Sequence, residues 1–303
     1  MNPNTVKTAL DNVVMTEYDK ASKPEIARAG DSLIFNQETT DRAAEIEEIF
    51  KGVGFFDTRA EEQDVPQDTP RVGNQITFSV VNYAKSVDIT KNYIDDHMFG
   101  TVAKMMKQFG LKARRTQDKN AMAFISGGFA TNTTADAAYI FSDSHTTLSG
   151  DTVDNLLTSA LSESSLYDAI KMMEEQKDQN GDVMGQSANC LLVPLNLYKT
   201  AIEITDSELR SDTAENDINF YSSKYGLYVK TSPYLGSAAG GSETAWFLFG
   251  DGHSLTRWVR KPLEMSLVDW KYSRNNNYVY KGEFREIVGA PTHEGLIGST
   301  GAA

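Results

Sequence analysis

The fold is decided by the stretch from Gly128 to Trp258, whose informative segments read GFATNTTADAAYIFSDSH (128–145), TLSGDTVDNLL (147–157), SLYDAIKMMEEQKDQNGD (165–182), LLVPLNLYKTAIEI (191–204) and WFLFGDGHSLTRW (246–258). Short apolar runs such as Leu191–Val193 predict buried strands, whereas apolar residues spaced by three and four predict amphipathic helices. The stretch therefore predicts a compact region that mixes short helices and strands.

Two helices are predicted within this stretch. Ser165 is the expected N-cap of the first, whose buried face consists of Leu166, Ala169, Ile170 and Met173. The sequence Asn180-Gly181-Asp182 predicts a turn after it. Pro194 suits the first turn of the second helix, whose expected apolar face consists of Leu195, Tyr198 and Ile202.

The last third of the chain is rich in strand patterns. Trp246–Phe249 and Leu255–Val259 flank a Gly-Asp-Gly-His turn, which predicts a β-hairpin. Between Tyr278 and Val288 apolar and charged residues alternate, which predicts a long strand. Because the strands are interspersed with helices along the chain, the predicted class is α+β.

The strongest helical pattern lies before this stretch. An apolar stripe spaced by three and four residues consists of Ile94, Met98, Val102, Met105 and Phe109. Gly110 is the expected end of this helix. A second helix is predicted from residue 117 to residue 126.

The N-terminal third is mostly polar. Residues 1–40 predict an arm that would not fold alone, and Asp41 is the expected start of a short helix with Ala43, Ile46, Ile49 and Phe50 on one face. Gly54 is expected to begin a strand. Residues 57–74 are acidic and lack core-forming side chains, and the period-two strand that follows them consists of Ile76, Phe78 and Val80. The acidic segment is interpreted either as a mobile surface loop or as an arm that a neighbouring subunit orders.

Composition excludes several classes of protein. The chain has 303 residues, which favours one large domain or two smaller ones, and a formal net charge of −13. That charge argues against a free-standing nucleic-acid binder, which needs a basic surface. The single cysteine, Cys190, excludes an intrachain disulfide. The pattern at the N-terminus is not that of a signal peptide and no apolar run is long enough for a membrane span, so a cytoplasmic protein is expected.

No motif predicts a catalytic, cofactor or metal site. Spacing typical of a metal site is absent among the four histidines, His97, His145, His253 and His293. Ser142, Asp143 and His145 are neighbours in one loop, an arrangement that rarely forms a catalytic triad. A calcium loop at residues 176–187 would need carboxylate ligands where Gln176 and Ser187 stand. A phosphate-binding loop is also absent.

One ordered set of motifs is specific. It comprises Gly128-Phe129 after a helix, a Phe-Ser-x-x-His motif at residues 141–145, Asn155–Leu157, the helix-and-turn segment Ser165–Gly181, Leu191–Pro194 and Asn216–Asn219 before a strand. The set resembles the major head subunits of tailed phages, in particular the Mu-type branch of the HK97-like capsid family, over about half of the chain. Thr146 and Leu195 stand where that family often has proline.

The resemblance implies a domain layout. It places an N-terminal arm at residues 1–54, an extended loop at 55–87, a peripheral domain at 88–148 and 256–303, and an axial domain at 149–255. The long helix with the stripe from Ile94 to Phe109 becomes the spine helix of the peripheral domain. Contacts between subunits are expected in the extended loop at Asp57, Arg59, Glu61, Glu62, Asp64 and Arg71.

The implied function is that of a major capsid protein without enzymatic activity or cofactors. Such a protein self-assembles into hexamers and pentamers of a phage head that encloses double-stranded DNA without sequence-specific binding. An acidic wall suits this role because like charge suppresses adhesion to packed DNA. The expected location is the virion, after assembly in the cytoplasm of the bacterial host. Expected partners are further copies of the chain, a portal and a scaffold, with decoration proteins as a further candidate. The alternatives are an encapsulin-like compartment enclosing a cargo enzyme, and an unrecognised soluble enzyme or binding module.

Overall fold

The computed structural model describes residues 3–20, 23–96, 98–206, 221, 226–273, 275 and 277–302. The Asn216–Asn219 motif and His97 lie outside these residues. The helices and strands, in chain order, are α1 (Pro3–Tyr18), β1 (Asn36–Thr39), β2 (Ala44–Lys51), β3 (Arg71–Ser79), β4 (Val81–Thr90), α2 (Lys91–Asp95), α3 (Phe99–Ser126), β5 (His145–Thr146), β6 (Thr152–Val153), β7 (Leu156–Leu157), α4 (Glu163–Glu174), β8 (Ala188–Pro194), α5 (Leu195–Thr205), β9 (Tyr228–Ser232), β10 (Trp246–Gly250), β11 (Thr256–Val268), β12 (Asn277–Gly289) and β13 (Leu296–Ser299).

Two sheets organise the fold. One has four strands in the order β1-β11-β12-β4, and the other has five in the order β7-β13-β10-β8-β9. Helix α3 and the N-terminal helix α1 pack with the first sheet around Ile89 and Tyr280, while α4 and α5 pack on the second around Leu191 and Trp246. The predicted α+β class is confirmed, and the long strand predicted from Tyr278 to Val288 is part of β12.

The predicted hairpin between Trp246 and Val259 is wrong. Strand β10 pairs with β8 and β13 in the five-stranded sheet, whereas β11 pairs with β1 and β12 in the other sheet. Both edges of β10 are thus occupied, so β11 has no edge to pair with. The Gly-Asp-Gly-His segment instead leads the chain from one sheet to the other, and the backbone N–H of Gly250 donates to the carbonyl of Gly295 at 2.9 Å.

The predicted helix end at Gly110 is also wrong, because α3 continues without a break to Ser126. A Cβ at Gly110 would lie 2.3 Å from the carbonyl oxygen of Val14, so the glycine allows α1 to cross α3 in close contact. Within the predicted stripe, Val102 and Phe109 are buried, while Met98 and Met105 are 44% and 36% exposed. Met106 is buried in place of Met105, and Ile94 lies in the separate helix α2.

The helix predicted from Asp41 is a strand, and no strand begins at Gly54. Residues 44–51 form β2, which pairs antiparallel with β3 from Ala44–Ser79 to Lys51–Arg71. This pairing supplies backbone hydrogen bonds that outweigh the weak helical spacing of Ile46 and Ile49. The strand predicted around Phe78 is confirmed as β3.

The helices of the second sheet need smaller corrections. The four buried residues predicted for α4 are all buried, but its N-cap is Ser162, whose Oγ accepts from the Ser165 N–H at 3.2 Å. Ser165 returns the interaction through its Oγ, which accepts from the Ser162 N–H at 2.9 Å. In α5, Leu195 is 67% exposed, and the buried residues are Ala201 and Thr205.

Two of the distinctive motifs meet at the junction of the sheets. The Asn155 amide donates to the carbonyls of Ile140 and Leu296 at 2.8 and 3.0 Å, and its Oδ1 accepts from the Ser142 N–H at 2.8 Å. Phe141 packs against Phe247 with ring centroids 5.3 Å apart. The motif residues therefore act as structural connectors, since Asn155 satisfies three backbone groups at once.

We expect Gly110→Ala to lower the free energy of unfolding by about 1–3 kcal/mol, because the new methyl group meets the Val14 carbonyl. Helix propensity alone would raise stability by up to about 1 kcal/mol. Gly100→Ala in the same helix is the matched control, since a Cβ there meets nothing within 4 Å. Denaturant unfolding of unassembled subunits measures both, and a Gly110→Ala variant as stable as the control would contradict the close crossing.

We expect Asn155→Asp to destabilise the subunit by about 3 kcal/mol or more, because a buried carboxylate oxygen would face two carbonyl oxygens. The exposed Asn92→Asp in α2 is the control and should change stability by less than about 0.5 kcal/mol. Thermal unfolding at neutral pH compares the two variants. Equal melting temperatures would show that the Asn155 hydrogen bonds contribute little.

Candidate subunit-contact surfaces

The first candidate surface is the hairpin arm, residues 44–79, which consists of β2, β3 and the strand-free segment 52–70. A two-stranded hairpin buries too little apolar area to be stable alone. Its base is held by Phe78, whose ring stacks on Trp258 with centroids 5.4 Å apart. Towards the tip, the Asn180 amide donates to the carbonyl of Val53 at 3.1 Å. Ile49 and Glu45 of β2 are also buried, whereas residues 55–72 are exposed.

Exposed apolar side chains are concentrated on this arm. Phe55 is 75% exposed and Phe56 fully exposed in its strand-free segment. Other apolar residues of the arm that are more than half exposed are Ile46, Phe50, Val53, Val65 and Val72. Contiguous exposed apolar area of this kind marks a binding surface, because a free subunit gains nothing from it.

The tip of the arm is also anionic. All six residues predicted for subunit contact, Asp57, Arg59, Glu61, Glu62, Asp64 and Arg71, lie exposed on it. Together with Asp68 they give five carboxylates against two guanidinium groups. The backbone N–H groups of Gly54 and Thr69 donate to Asp68 and lower its pKa, so this carboxylate stays charged at neutral pH.

The second candidate surface is the spine groove, a cavity of about 620 Å³ between α3 and the four-stranded sheet. Its apolar walls come from Phe109 and Ala113 of α3 and from Leu263 and Phe284 of the sheet. Gly282 forms part of the floor, and a Cβ there would lie 2.7 Å from the Phe109 ring. Among the predicted spine residues, Phe109 is the one that lines the groove.

The rim of the spine groove is cationic. Lys85 of β4 and Lys112 of α3 line it, and both are exposed. Among the ion pairs of the described residues, neither lysine has a carboxylate partner. The groove thus offers an apolar floor with two free positive charges, which complements the apolar and anionic tip of the arm.

A third feature was missed by sequence reasoning. Asp136, His145 and His293 come together in the interior, with one potential metal-ligand atom of each within 4.8 Å of the others. The prediction of no metal site rested on the spacing of histidines in the sequence. That spacing carries no information on this cluster, because His293 approaches His145 only after β12 and β13 have paired in different sheets.

Comparison with known proteins agrees with this architecture. A family model described as phage capsid protein matches residues 73–297. The chain belongs to the phage capsid protein family. The predicted function as a major capsid shell protein is therefore confirmed, and the virion capsid is its location. The match does not distinguish the Mu-type branch, which stays a prediction. No curated protein matches the sequence.

Solved capsid structures share the fold of this phage capsid protein at low sequence identity. The virus-like particle from Pyrococcus furiosus is 10% identical, with a TM-score of 0.56 over 97% of this chain and 99% of that one. The capsid of cyanophage P-SCSP1u is 14% identical, with a TM-score of 0.57 over 93% and 90%. The capsid of an empty GTA particle is 12% identical, with a TM-score of 0.55 over 96% and 98%. The HK97-like fold is thus confirmed over nearly the whole chain.

No helix in the described part of the chain is long and apolar enough to cross a membrane.

Proposed function

We propose that this capsid protein assembles into hexamers and pentamers of a phage head that encloses double-stranded DNA, and that it has no enzymatic activity. The observation that supports assembly most directly is the hairpin arm, which exposes Phe55 and Phe56 in its strand-free segment. A second copy of the chain would remove these side chains from water. Burying a phenylalanine side chain contributes about 1.5–3 kcal/mol, and each subunit of a shell repeats the contact.

The receiving surface in this proposal is the spine groove of a neighbouring copy. Phe55 and Phe56 would pack against its apolar floor. The carboxylates of the arm would face Lys85 and Lys112 on the rim. Arm and groove are different patches of one chain, so the contact is head-to-tail. Repeated head-to-tail contacts close into rings when the rotation between copies allows it.

The domain layout follows from the same elements. We propose that residues 44–79 act as the extended loop, a range that begins earlier and ends earlier than the 55–87 expected from sequence. Residues 81–90 pair with β12 in the four-stranded sheet, which supports placing them in the peripheral domain with α3. The five-stranded sheet with α4 and α5 would be the axial domain, which surrounds the symmetry axes.

The net charge of the chain affects how a shell built from it would interact with enclosed DNA. With a net charge of −13, the protein is suited to enclosing DNA by confinement, because like charges weaken adhesion to the wall. Portal and scaffold proteins, and decoration proteins where present, would complete the head in the host cytoplasm. An encapsulin-like compartment with a cargo enzyme would use the same fold, and the phage capsid family match favours the head.

The decisive experiment is electron microscopy of the purified protein, combined with sedimentation and nuclease treatment. Closed shells or capsomer rings are the expected result. Nuclease-resistant double-stranded DNA in particles from infected cells would support the phage head, and a protein cargo without DNA would support the encapsulin-like alternative. A monodisperse monomer, even with candidate scaffolds co-expressed, would overturn the proposal.

We expect the double variant Phe55→Ser/Phe56→Ser to yield folded, soluble subunits that do not close shells. The loss of two buried phenyl groups weakens each contact by roughly 100-fold or more. Tyr272→Ser is the control, because Tyr272 is 84% exposed and lies outside both arm and groove. Sedimentation separates shells from subunits. Normal shells from the double variant would show that the arm tip is not a contact.

We expect reversal of the charges on the groove rim and reversal of the charges on the arm to compensate for each other in assembly. Lys85→Glu/Lys112→Glu and Asp57→Lys/Glu61→Lys should each slow assembly, because like charges then meet at the rim. Combining all four changes should restore much of the assembly rate, and light scattering would follow it. Added salt should shrink the differences, since screening acts over about 10 Å at 0.1 M. A variant with all four changes that assembles no faster than the slower of the two double variants would argue against a contact between the arm carboxylates and the rim lysines.

A further inference from the structure

Three distant segments converge on one buried point. Asp136 lies in the loop after α3, His145 begins β5, and His293 lies in the turn between β12 and β13. The side chain of His145 is fully buried and that of Asp136 is 7% exposed, while His293 as a residue is 2% exposed. The two imidazole rings have their centroids 4.4 Å apart. Polar groups this deeply buried require partners that satisfy them.

Both ring nitrogens of His145 face hydrogen-bond acceptors. Its Nδ1 lies 2.8 Å from Oδ2 of Asp136, and its Nε2 lies 3.3 Å from the carbonyl oxygen of Ile140. Both neighbours are acceptors, yet a neutral imidazole has only one N–H. A cation bound at Nδ1 would satisfy the Asp136 carboxylate while Nε2–H donates to the Ile140 carbonyl.

His293 favours a bound cation. Its Nε2 is buried and has no hydrogen-bond partner among the described residues. Its ring lies against that of His145, and one potential ligand atom of each of Asp136, His145 and His293 lies within 4.8 Å of the others. A neutral imidazole with a free nitrogen lone pair is the form that binds a metal ion.

The surroundings hold the carboxylate and His145 in place. Oδ1 of Asp136 accepts from the Ala138 N–H at 3.2 Å and from the Thr134 hydroxyl, and its Oδ2 accepts from the Thr146 N–H at 3.3 Å. The carbonyl of Ile140 can receive the Nε2–H of His145, which leaves Nδ1 directed at Asp136. Imidazole ligands in proteins are commonly oriented by such a carbonyl on the second nitrogen.

We propose that Asp136, His145 and His293 bind one divalent transition-metal ion of the zinc class. Two imidazole nitrogens and one carboxylate oxygen suit zinc, and water would complete a tetrahedron. Bonds of about 2.0 Å at tetrahedral angles separate ligand atoms by roughly 3.3 Å. The Asp136–His145 contact would thus lengthen modestly from its 2.8 Å.

The role of this ion is structural. It ties the loop after α3 and the start of β5 to the turn through which the chain passes from one sheet to the other. Asp136 is the least buried of the three ligands and Thr146 beside it is exposed, so the ion and its water would reach the site from that side. Binding to the folded state alone would stabilise the subunit by mass action.

The test uses unassembled full-length subunits, so its outcome does not depend on shell formation. Subunits stripped with chelator, incubated with Zn²⁺ and desalted should retain about one ion per chain by elemental mass spectrometry. Co²⁺ in place of Zn²⁺ should give visible absorption bands typical of tetrahedral coordination. Zn²⁺ should also raise the melting temperature of the stripped protein.

Variants identify the ligands. His293→Gln and Asp136→Asn should lose the retained zinc, whereas His253→Gln should keep it. His253 is a matched control because it is a buried histidine with an unpartnered Nδ1 outside the cluster. Wild-type subunits that retain no zinc and show no cobalt bands would overturn the proposal without any variant. Full zinc content in folded His293→Gln would overturn the ligand assignment.

Discussion

The two sheets share one of the three hydrophobic clusters of the described residues, at the place where the chain crosses between the sheets twice. The segments 251–255 and 290–295 run side by side, and the Ser254 N–H donates to the carbonyl of Glu294 at 3.2 Å. Gln176, two residues after the end of α4, fixes the second crossing, since its Oε1 accepts from the Gly295 N–H at 2.8 Å. Phe141, Phe247 and Phe249 pack in the core beneath these crossings. The two crossings and the shared cluster together fix the position of one sheet against the other.

This rigid body contrasts with the hairpin arm. The apolar side chains of the body are mostly buried in its three clusters, whereas the arm presents apolar and anionic side chains that its own subunit leaves exposed. A shell protein needs both parts. A folded body without an exposed contact surface would stay a monomer, and an arm without a folded body would have no fixed position. Gly110 contributes to the body by allowing α1 to cross α3, and Phe78 fixes the base of the arm on Trp258.

The fold persists at 10–14% sequence identity to solved capsids because it depends on burial pattern more than on particular residues. Volume-conserving apolar changes preserve a core as long as its polar groups remain satisfied. Asn155 shows where identity does matter, since few side chains can donate to two carbonyls and accept from an N–H at one buried point.

The sequence by itself determined the α+β class, the buried faces of α4 and β12, the acidic segment 57–74 that lacks core-forming side chains, and the capsid family. These follow from local periodicity, composition and the order of the motifs. Only the tertiary structure decided that β10 and β11 belong to different sheets, that α3 continues past Gly110, that residues 44–51 are a strand, and that Asp136, His145 and His293 meet. Each of these outcomes depends on a contact between residues far apart in the chain. A pattern read within a window of neighbouring residues contains no information about which distant strand, helix or side chain will occupy the space beside it.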